Sequence, residues 1–284
     1  IYGVINGFNY MKMFSLSLSL RYILILFNLI VFILNGVEAE KITAIFSIAE
    51  FVLFIILFTK ISTYISWWQG HLFNKWVLRH IKYGMKSILG GMLVELNTRI
   101  DILMLGIFMN DTTVGIYSFA ALFGEGFYQI LIVLQNILNP IMARQFSNLQ
   151  YSKFLKTFNK VRKVTYIAIF ILYFLSIIIY PKIIDIFTNK SLFIYSFLPF
   201  TILISGITIA SGYIPFYNIF SMANKPGFQS IFMIMIFITN IIANAVFIPI
   251  MGYYGAAIGT SLSYIASIFY FNYLCSKHIG FKLR

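Results

Sequence analysis

FQSIFMIMIFITNIIANAVFIP, residues 228–249, contains no charged side chain. A helix needs about 20 apolar residues to cross the roughly 30 Å hydrocarbon core of a bilayer, at 1.5 Å per residue. A membrane-spanning strand would instead alternate apolar and polar side chains. This stretch therefore predicts a transmembrane helix.

Similar apolar runs recur along the chain, which is 60% hydrophobic and only 10% charged. A domain exposed to water does not have this composition. We therefore expect an all-α integral membrane protein. The apolar runs, divided at polar breaks, predict eight spans at about 14–35, 43–59, 87–109, 115–140, 164–187, 194–217, 228–249 and 255–275.

The cations are distributed unequally between the two sides that these spans define. One side collects Lys12, Lys60, Lys75, Arg79, Lys82, Lys86, Arg144, Lys153, Lys156, Lys160, Arg162, Lys163, Lys225, Lys277, Lys282 and Arg284. The other side has Lys41, Lys182 and Lys190, together with Glu38, Glu40, Asp111 and Asp185. Lysine and arginine concentrate on the cytoplasmic side of membrane proteins. The net charge of +13 then indicates contact with anionic membrane lipids rather than with nucleic acid.

Two of the predicted connections are long, 60–86 and 141–163. The first contains Trp67, Trp68 and spaced cations, and it predicts either an amphipathic helix on the cytoplasmic surface or a linker between two helical bundles.

The start of the chain repeats the layout of its end, because each has the tail of a span, a lysine (Lys12 or Lys225) and two spans. Two parallel halves of six spans, with a substrate held between them, would produce this repeat. We expect residues 1–78 to complete the first half and residues 79–284 to form the second. Since the chain begins at Ile1 within a span tail, we also expect three to four helices of the first half to precede it.

Residues 77–145 contain the most specific motifs of the chain: LRHIKYGMKSILGG, NTRIDILMLG, NDTTVGIYSFAALFGEGF and NPIMARQFS. They resemble the polysaccharide-transporter branch of the multidrug/oligosaccharidyl-lipid/polysaccharide exporter superfamily, which comprises the O-antigen and capsule-unit flippases. The matching positions are Arg99 and Asp101 in an Arg-x-Asp element, Gly115 and Tyr117 in a Gly-x-Tyr element, and Pro140 before the basic Arg144.

The resemblance implies two six-helix lobes that rock about a central cavity in the bacterial inner membrane. It also implies an undecaprenyl-diphosphate-linked oligosaccharide as cargo, a polysaccharide polymerase as an associated partner, and coupling to H⁺ or Na⁺ without an organic cofactor.

Ionisable side chains inside a span are costly, at about 2.5–3.5 kcal/mol each at the helix centre, and need partners. Apart from Lys182 and Asp185 at the end of the span 164–187, six lie within predicted spans: Arg21, Glu50, Glu95, Arg99, Asp101 and Glu125. Arg21 and Glu50 lie near span ends, where they can snorkel. Glu95 and Arg99 are four residues apart, so a continuous helix would pair them on one face. Asp101 is about 200° round that helix from Arg99 and must face a different neighbour.

Two interpretations of these charges stay open. In the functional one, Arg99 attracts a diphosphate, since a guanidinium binds phosphate oxygens bidentately, and Glu95, Asp101 and Glu125 carry a coupling proton or Na⁺. In the structural one, Glu95 and Arg99 neutralise each other and the remaining acids lie at helix interfaces.

Uncharged polar residues supply further candidates. Asn240 and Asn244 share a helix face and are predicted either to bind sugar hydroxyls or to form hydrogen bonds between helices. Small and polar residues from Ser205 to Asn218 are predicted either to line a cavity, with a bend at Pro215, or to pack closely.

Two other functions compete with a flippase. A membrane glycosyltransferase or polymerase needs a cluster of acid–base or metal-binding groups near a sizeable loop, and the sequence has neither an Asp-x-Asp element nor a long outer loop, so we predict no catalytic or metal site. A cation-coupled multidrug exporter of the same superfamily would need an acidic cavity, whereas this chain places Arg99 among its acids.

The charge asymmetry predicts that residues 141–163 are cytoplasmic and that residues 110–114 face outward. In a Cys275→Ser background, Lys156→Cys should therefore resist a membrane-impermeant maleimide applied to intact cells, and Asp111→Cys should react. Labelling of Lys156→Cys in intact cells would disprove this orientation.

Overall fold

The computed structural model describes residues 2–8, 10–37, 39–63, 73–187 and 191–280. Every regular element in these residues is helical. The α-helices are α1 Tyr2–Gly7, α2 Met11–Leu34, α3 Ala44–Ser62, α4 Phe73–Asn97, α5 Ile100–Phe108, α6 Asp111–Ser147, α7 Tyr151–Phe187, α8 Phe197–Ala210, α9 Ile219–Met222, α10 Pro226–Met251 and α11 Tyr253–His278. Short 3₁₀ helices cover Ala39–Thr43, Ser191–Ser196 and Ile214–Phe216.

Among the described residues, six segments are helical, long enough and apolar enough to cross a membrane: Lys12–Leu34, Lys41–Ser62, Asp111–Ser147, Tyr151–Ile186, Leu192–Ala210 and Pro226–Met251. The described part of the chain is thus that of a multi-pass, all-α membrane protein. Two of the eight predicted spans are missing from this set. The span at 87–109 is interrupted, and the one at 255–275 is helical but less apolar, because α11 is rich in glycine, serine and tyrosine.

The chain divides into two compact units, Ile1–Leu78 and Arg79–Arg284. In the first unit, α2 packs against α3. The buried residues of α3 recur every fourth position and form one stripe along the helix: Ile45, Ala49, Leu53, Leu57 and Ile61. Arg21 of α2 and Glu50 of α3 form an ion pair between the two helices, so they neutralise each other rather than snorkel separately. Trp67 and Trp68 of the predicted amphipathic segment lie outside the described residues.

In the second unit, α6 and α7 are each 37 residues long and are joined by a turn at residues 148–150. The prediction of a long loop at 141–163 is therefore wrong. A 37-residue helix measures roughly 55 Å, well beyond the hydrocarbon thickness. The ends of both helices that meet at this turn are polar and basic, and they extend the helices beyond the apolar runs. Hydropathy alone predicts a loop there because the apolar runs end before the helices do.

The centre of the second unit is formed by α8, α10 and α11, which make its most extensive helix contacts. Small residues allow the close approach. A Cβ atom at Gly206 would lie 2.6 Å from Cα of Ser261, and one at Gly255 would lie 2.1 Å from the carbonyl oxygen of Phe247. The Ser261 hydroxyl also donates a 2.8 Å hydrogen bond to the carbonyl of Ile202. Such packing is how helices associate in lipid, where apolar burial supplies little driving force.

The close approach of α8 and α11 predicts that Gly206→Ala destabilises the protein by about 1–3 kcal/mol, because the added methyl group overlaps the α11 backbone. Gly106→Ala is the matched control, since no atom lies within 4 Å of a Cβ atom at that position. Thermal unfolding in detergent should show a lower midpoint for Gly206→Ala only. Equal midpoints for the two variants would contradict the packing.

Candidate functional site

The predicted span at 87–109 is broken inside the second unit. Helix α4 ends at Asn97 and α5 begins at Ile100, with a turn at Thr98 and Arg99 between them. The Thr98 hydroxyl donates a 2.7 Å hydrogen bond to the carbonyl of Glu95, and the Arg99 amide donates one of 3.1 Å to the carbonyl of Leu96. Both bonds reach back three residues and tighten the last turn. Asn and Thr side chains can bond to nearby backbone groups, as the Thr98 hydroxyl does here, and so compete with the hydrogen bonds of a continuous helix.

The break changes the partner of Arg99. Its Nη1 atom lies 2.8 Å from Oε1 of Glu125 on α6, whereas Glu95 is exposed and forms no ion pair with Arg99. The predicted Glu95–Arg99 pair is therefore wrong. A pair four residues apart requires a continuous helix, and this helix ends between the two residues. The ion pair that forms instead joins two helices.

The Arg99 guanidinium has unused binding capacity. Its side chain is 59% exposed, and the contact with Glu125 lacks hydrogen-bond geometry, since Oε1 of Glu125 is buried without a hydrogen-bond partner. A guanidinium carries five N–H donors. Glu125 thus balances the charge of Arg99 while leaving its donors available to a second anion.

Asp101 lies inside the helix bundle, whereas the Arg99 side chain is largely exposed. Its side chain is buried and accepts hydrogen bonds from the Tyr117 hydroxyl (2.5 Å), the Thr260 hydroxyl (3.1 Å) and the Ile102 amide (2.9 Å). Among the described residues, no cation forms an ion pair with Asp101. The carboxyl group therefore lies in a shell of neutral donors.

Asn240 and Asn244 continue the polar network inside the helix bundle. Asn240 donates a 3.0 Å hydrogen bond to Oδ1 of Asn97, and its own Oδ1 accepts one of 2.7 Å from Asn244. Thr260 also lies 3.4 Å from Oδ1 of Asn240, which connects this group to Asp101. Both asparagines are 0% exposed. The Asn240 side chain thus joins α10 to α4, whereas Asn244 bonds within α10, and a sugar would reach either residue only if the helices separated.

A small cavity of about 30 Å³ lies at this junction, next to Asp101, Glu125, Tyr128 and Thr260. It is large enough for a water molecule. The site therefore combines an exposed guanidinium that can bind an anion with a buried carboxyl group that can hold a proton or a small cation.

Sequence reasoning missed Thr260 and Asn97, which connect the network. Thr260 lies in a run of small residues that resembles ordinary close packing, so no local pattern marks it. Asn97 carried a usable signal, since Asn-Thr in the middle of an apolar span disfavours a continuous helix.

The chain matches no protein-family model, no curated protein and no solved structure.

Proposed function

We propose that the protein moves an undecaprenyl-diphosphate-linked oligosaccharide from the cytoplasmic to the outer leaflet of a bacterial inner membrane by alternating access. The observation that carries this proposal is Arg99, a cation within a predicted span whose side chain is more than half exposed and whose guanidinium forms no hydrogen bond with another described residue. An intramembrane cation marks a substrate or ion path by default. The diphosphate is the anionic part of this substrate.

The charge balance at Arg99 suits reversible binding. A diphosphate offers oxygens that match the guanidinium bidentately, and Glu125 offers one misaligned oxygen. Glu125 can neutralise Arg99 when the substrate is absent, and the diphosphate can displace it. The interruption between α4 and α5 places Arg99 at a helix break, which is where transporters commonly form their binding sites.

The resemblance of residues 77–145 to polysaccharide flippases supports the same proposal and extends it. In this interpretation α1–α3 complete the first lobe, residues 79–284 form the second, and the exported oligosaccharide passes to a polymerase.

Asp101 is the proposed coupling group. A carboxylate buried among neutral donors is unfavourable unless it is neutralised, and either a proton or Na⁺ does this. The side chain lies two residues from Arg99 and faces the bundle interior, so the coupling cation and the anionic substrate would occupy separate places. A multidrug exporter could use the same acid, and for that reason the cargo has to be tested directly.

Replacement of Arg99 tests the proposed cargo. Loss of charge-assisted hydrogen bonds costs about 1.5–3 kcal/mol, so Arg99→Ala should slow translocation at least tenfold, and Arg99→Lys should also impair it because the bidentate geometry is lost. Translocation of fluorescently labelled lipid-linked oligosaccharide in proteoliposomes is the measurement. Arg144→Ala, near the end of α6, is the control for loss of a cation. Normal translocation by Arg99→Ala, or extrusion of cationic dyes by the wild type, would refute the assignment.

Replacement of Asp101 tests the coupling. Asp101→Asn retains an acceptor for Tyr117 and Thr260 but cannot release or exchange a cation. An imposed H⁺ or Na⁺ gradient should therefore accelerate translocation by the wild type and by the exposed-site control Asp111→Asn, but not by Asp101→Asn. Gradient dependence that survives in Asp101→Asn would exclude this residue as the coupling group.

A further inference from the structure

A second and larger cavity, of about 340 Å³, lies within the second unit beside the polar network. It is bordered by the last turns of α4, by α6, α10 and α11, and by the short segment at Tyr217 and Asn218. Its volume is at the lower end of the range for small-molecule sites, about 300–1,000 Å³. The cavity thus suits part of an oligosaccharide rather than a whole one.

Two tyrosines line both this cavity and the small one, Tyr128 of α6 and Tyr264 of α11. Their ring centroids are 5.6 Å apart and the rings are inclined by 32°. Neither hydroxyl group forms a hydrogen bond with another described residue, and neither hydroxyl oxygen is sealed from solvent. A tyrosine in a protein interior usually finds a partner for its hydroxyl.

Other tyrosines of this unit follow that rule. Tyr117 bonds to Asp101, Tyr173 to Ser205, Tyr180 to Ser196 and Tyr217 to Ser267. Tyr128 and Tyr264 differ from these tyrosines, because their hydroxyl groups face open space and not a hydrogen-bond partner.

Part of the remaining polar lining is also unengaged, although Asn97, Thr98 and Tyr217 form hydrogen bonds within the protein. The side chains of Glu95 and Asn218 form no hydrogen bond or ion pair with another described residue. Gln135 donates one long hydrogen bond of 3.3 Å to the carbonyl of Ile214, and its side-chain oxygen forms no hydrogen bond with another described residue. Carboxylate, amide and phenol groups together accept hydrogen bonds from hydroxyl groups and donate hydrogen bonds to them. Aromatic faces pack against the C–H face of a sugar ring. The lining is therefore complementary to a hydroxylated ring.

We propose that this cavity is the subsite for the sugar next to the diphosphate, with Tyr128 and Tyr264 as the groups that contact the ring. This proposal rests on the proposed function. Glu125, the ion-pair partner of Arg99, lines the small cavity together with both tyrosines, so a diphosphate at Arg99 would have its first sugar beside the two tyrosines. Glu95, which does not pair with Arg99, is given a role here as an acceptor for sugar hydroxyls.

Binding measurements on the purified full chain in nanodiscs test the subsite with two probes. One is undecaprenyl diphosphate without sugar, and the other is the lipid-linked oligosaccharide pool extracted from the cells that produce the protein. The wild type should bind the sugar-bearing probe more tightly. Tyr128→Leu and Tyr264→Leu should weaken its binding about tenfold and leave binding of undecaprenyl diphosphate unchanged.

Two further variants guard against general misfolding. Tyr128→Phe and Tyr264→Phe keep the rings and should lose only part of the preference for the sugar-bearing probe. Tyr273→Leu, in α11 and 55% exposed, should behave as the wild type. Arg99→Ala should weaken the binding of both probes.

The outcomes separate the two proposals. Equal affinity of the wild type for both probes, or equal weakening of both probes by the tyrosine variants, would overturn the subsite and leave the diphosphate site standing. Failure of the wild type to bind either probe would overturn the proposed function and the subsite with it.

Discussion

Within hydrocarbon no water is present to satisfy backbone polar groups, so an interruption of a spanning helix must find its partners inside the protein. The break at Thr98 and Arg99 illustrates how this chain meets that requirement. The Thr98 hydroxyl bonds to a carbonyl of the last turn, and the Asn97 carbonyl accepts a hydrogen bond of 3.4 Å from Asn240 on α10. The break therefore forms one end of the polar network of the second unit.

The break also separates two kinds of charge. Arg99 ends in an exposed position opposite Glu125, while Asp101, only two residues later, is buried against Tyr117 and Thr260. Under the proposed function, one short segment would therefore offer an exposed group to the anionic cargo and a buried group to the coupling cation.

The close packing of α8, α10 and α11 holds the buried half of this network. Gly259 packs against Asn244, whose Oδ1 would be 2.6 Å from a Cβ atom at that position. Small residues at the helix contacts bring Thr260 within reach of both Asn240 and Asp101. Packing and polar contacts are therefore interdependent here: a larger residue on α11 would separate the groups that satisfy the buried carboxyl.

The sequence by itself determined the features that depend on composition: an all-α, multi-pass membrane protein. It could not determine where helices end or which helices meet. The loop predicted at 141–163 is replaced by the extended ends of α6 and α7. The predicted Glu95–Arg99 pair is replaced by an ion pair of Arg99 with Glu125 on α6. Both predictions assumed that neighbours in sequence fix the local geometry. Only the tertiary structure brings Arg99 to Glu125 and Asp101 to Thr260, because these partners are distant in sequence and meet through the packing of separate helices.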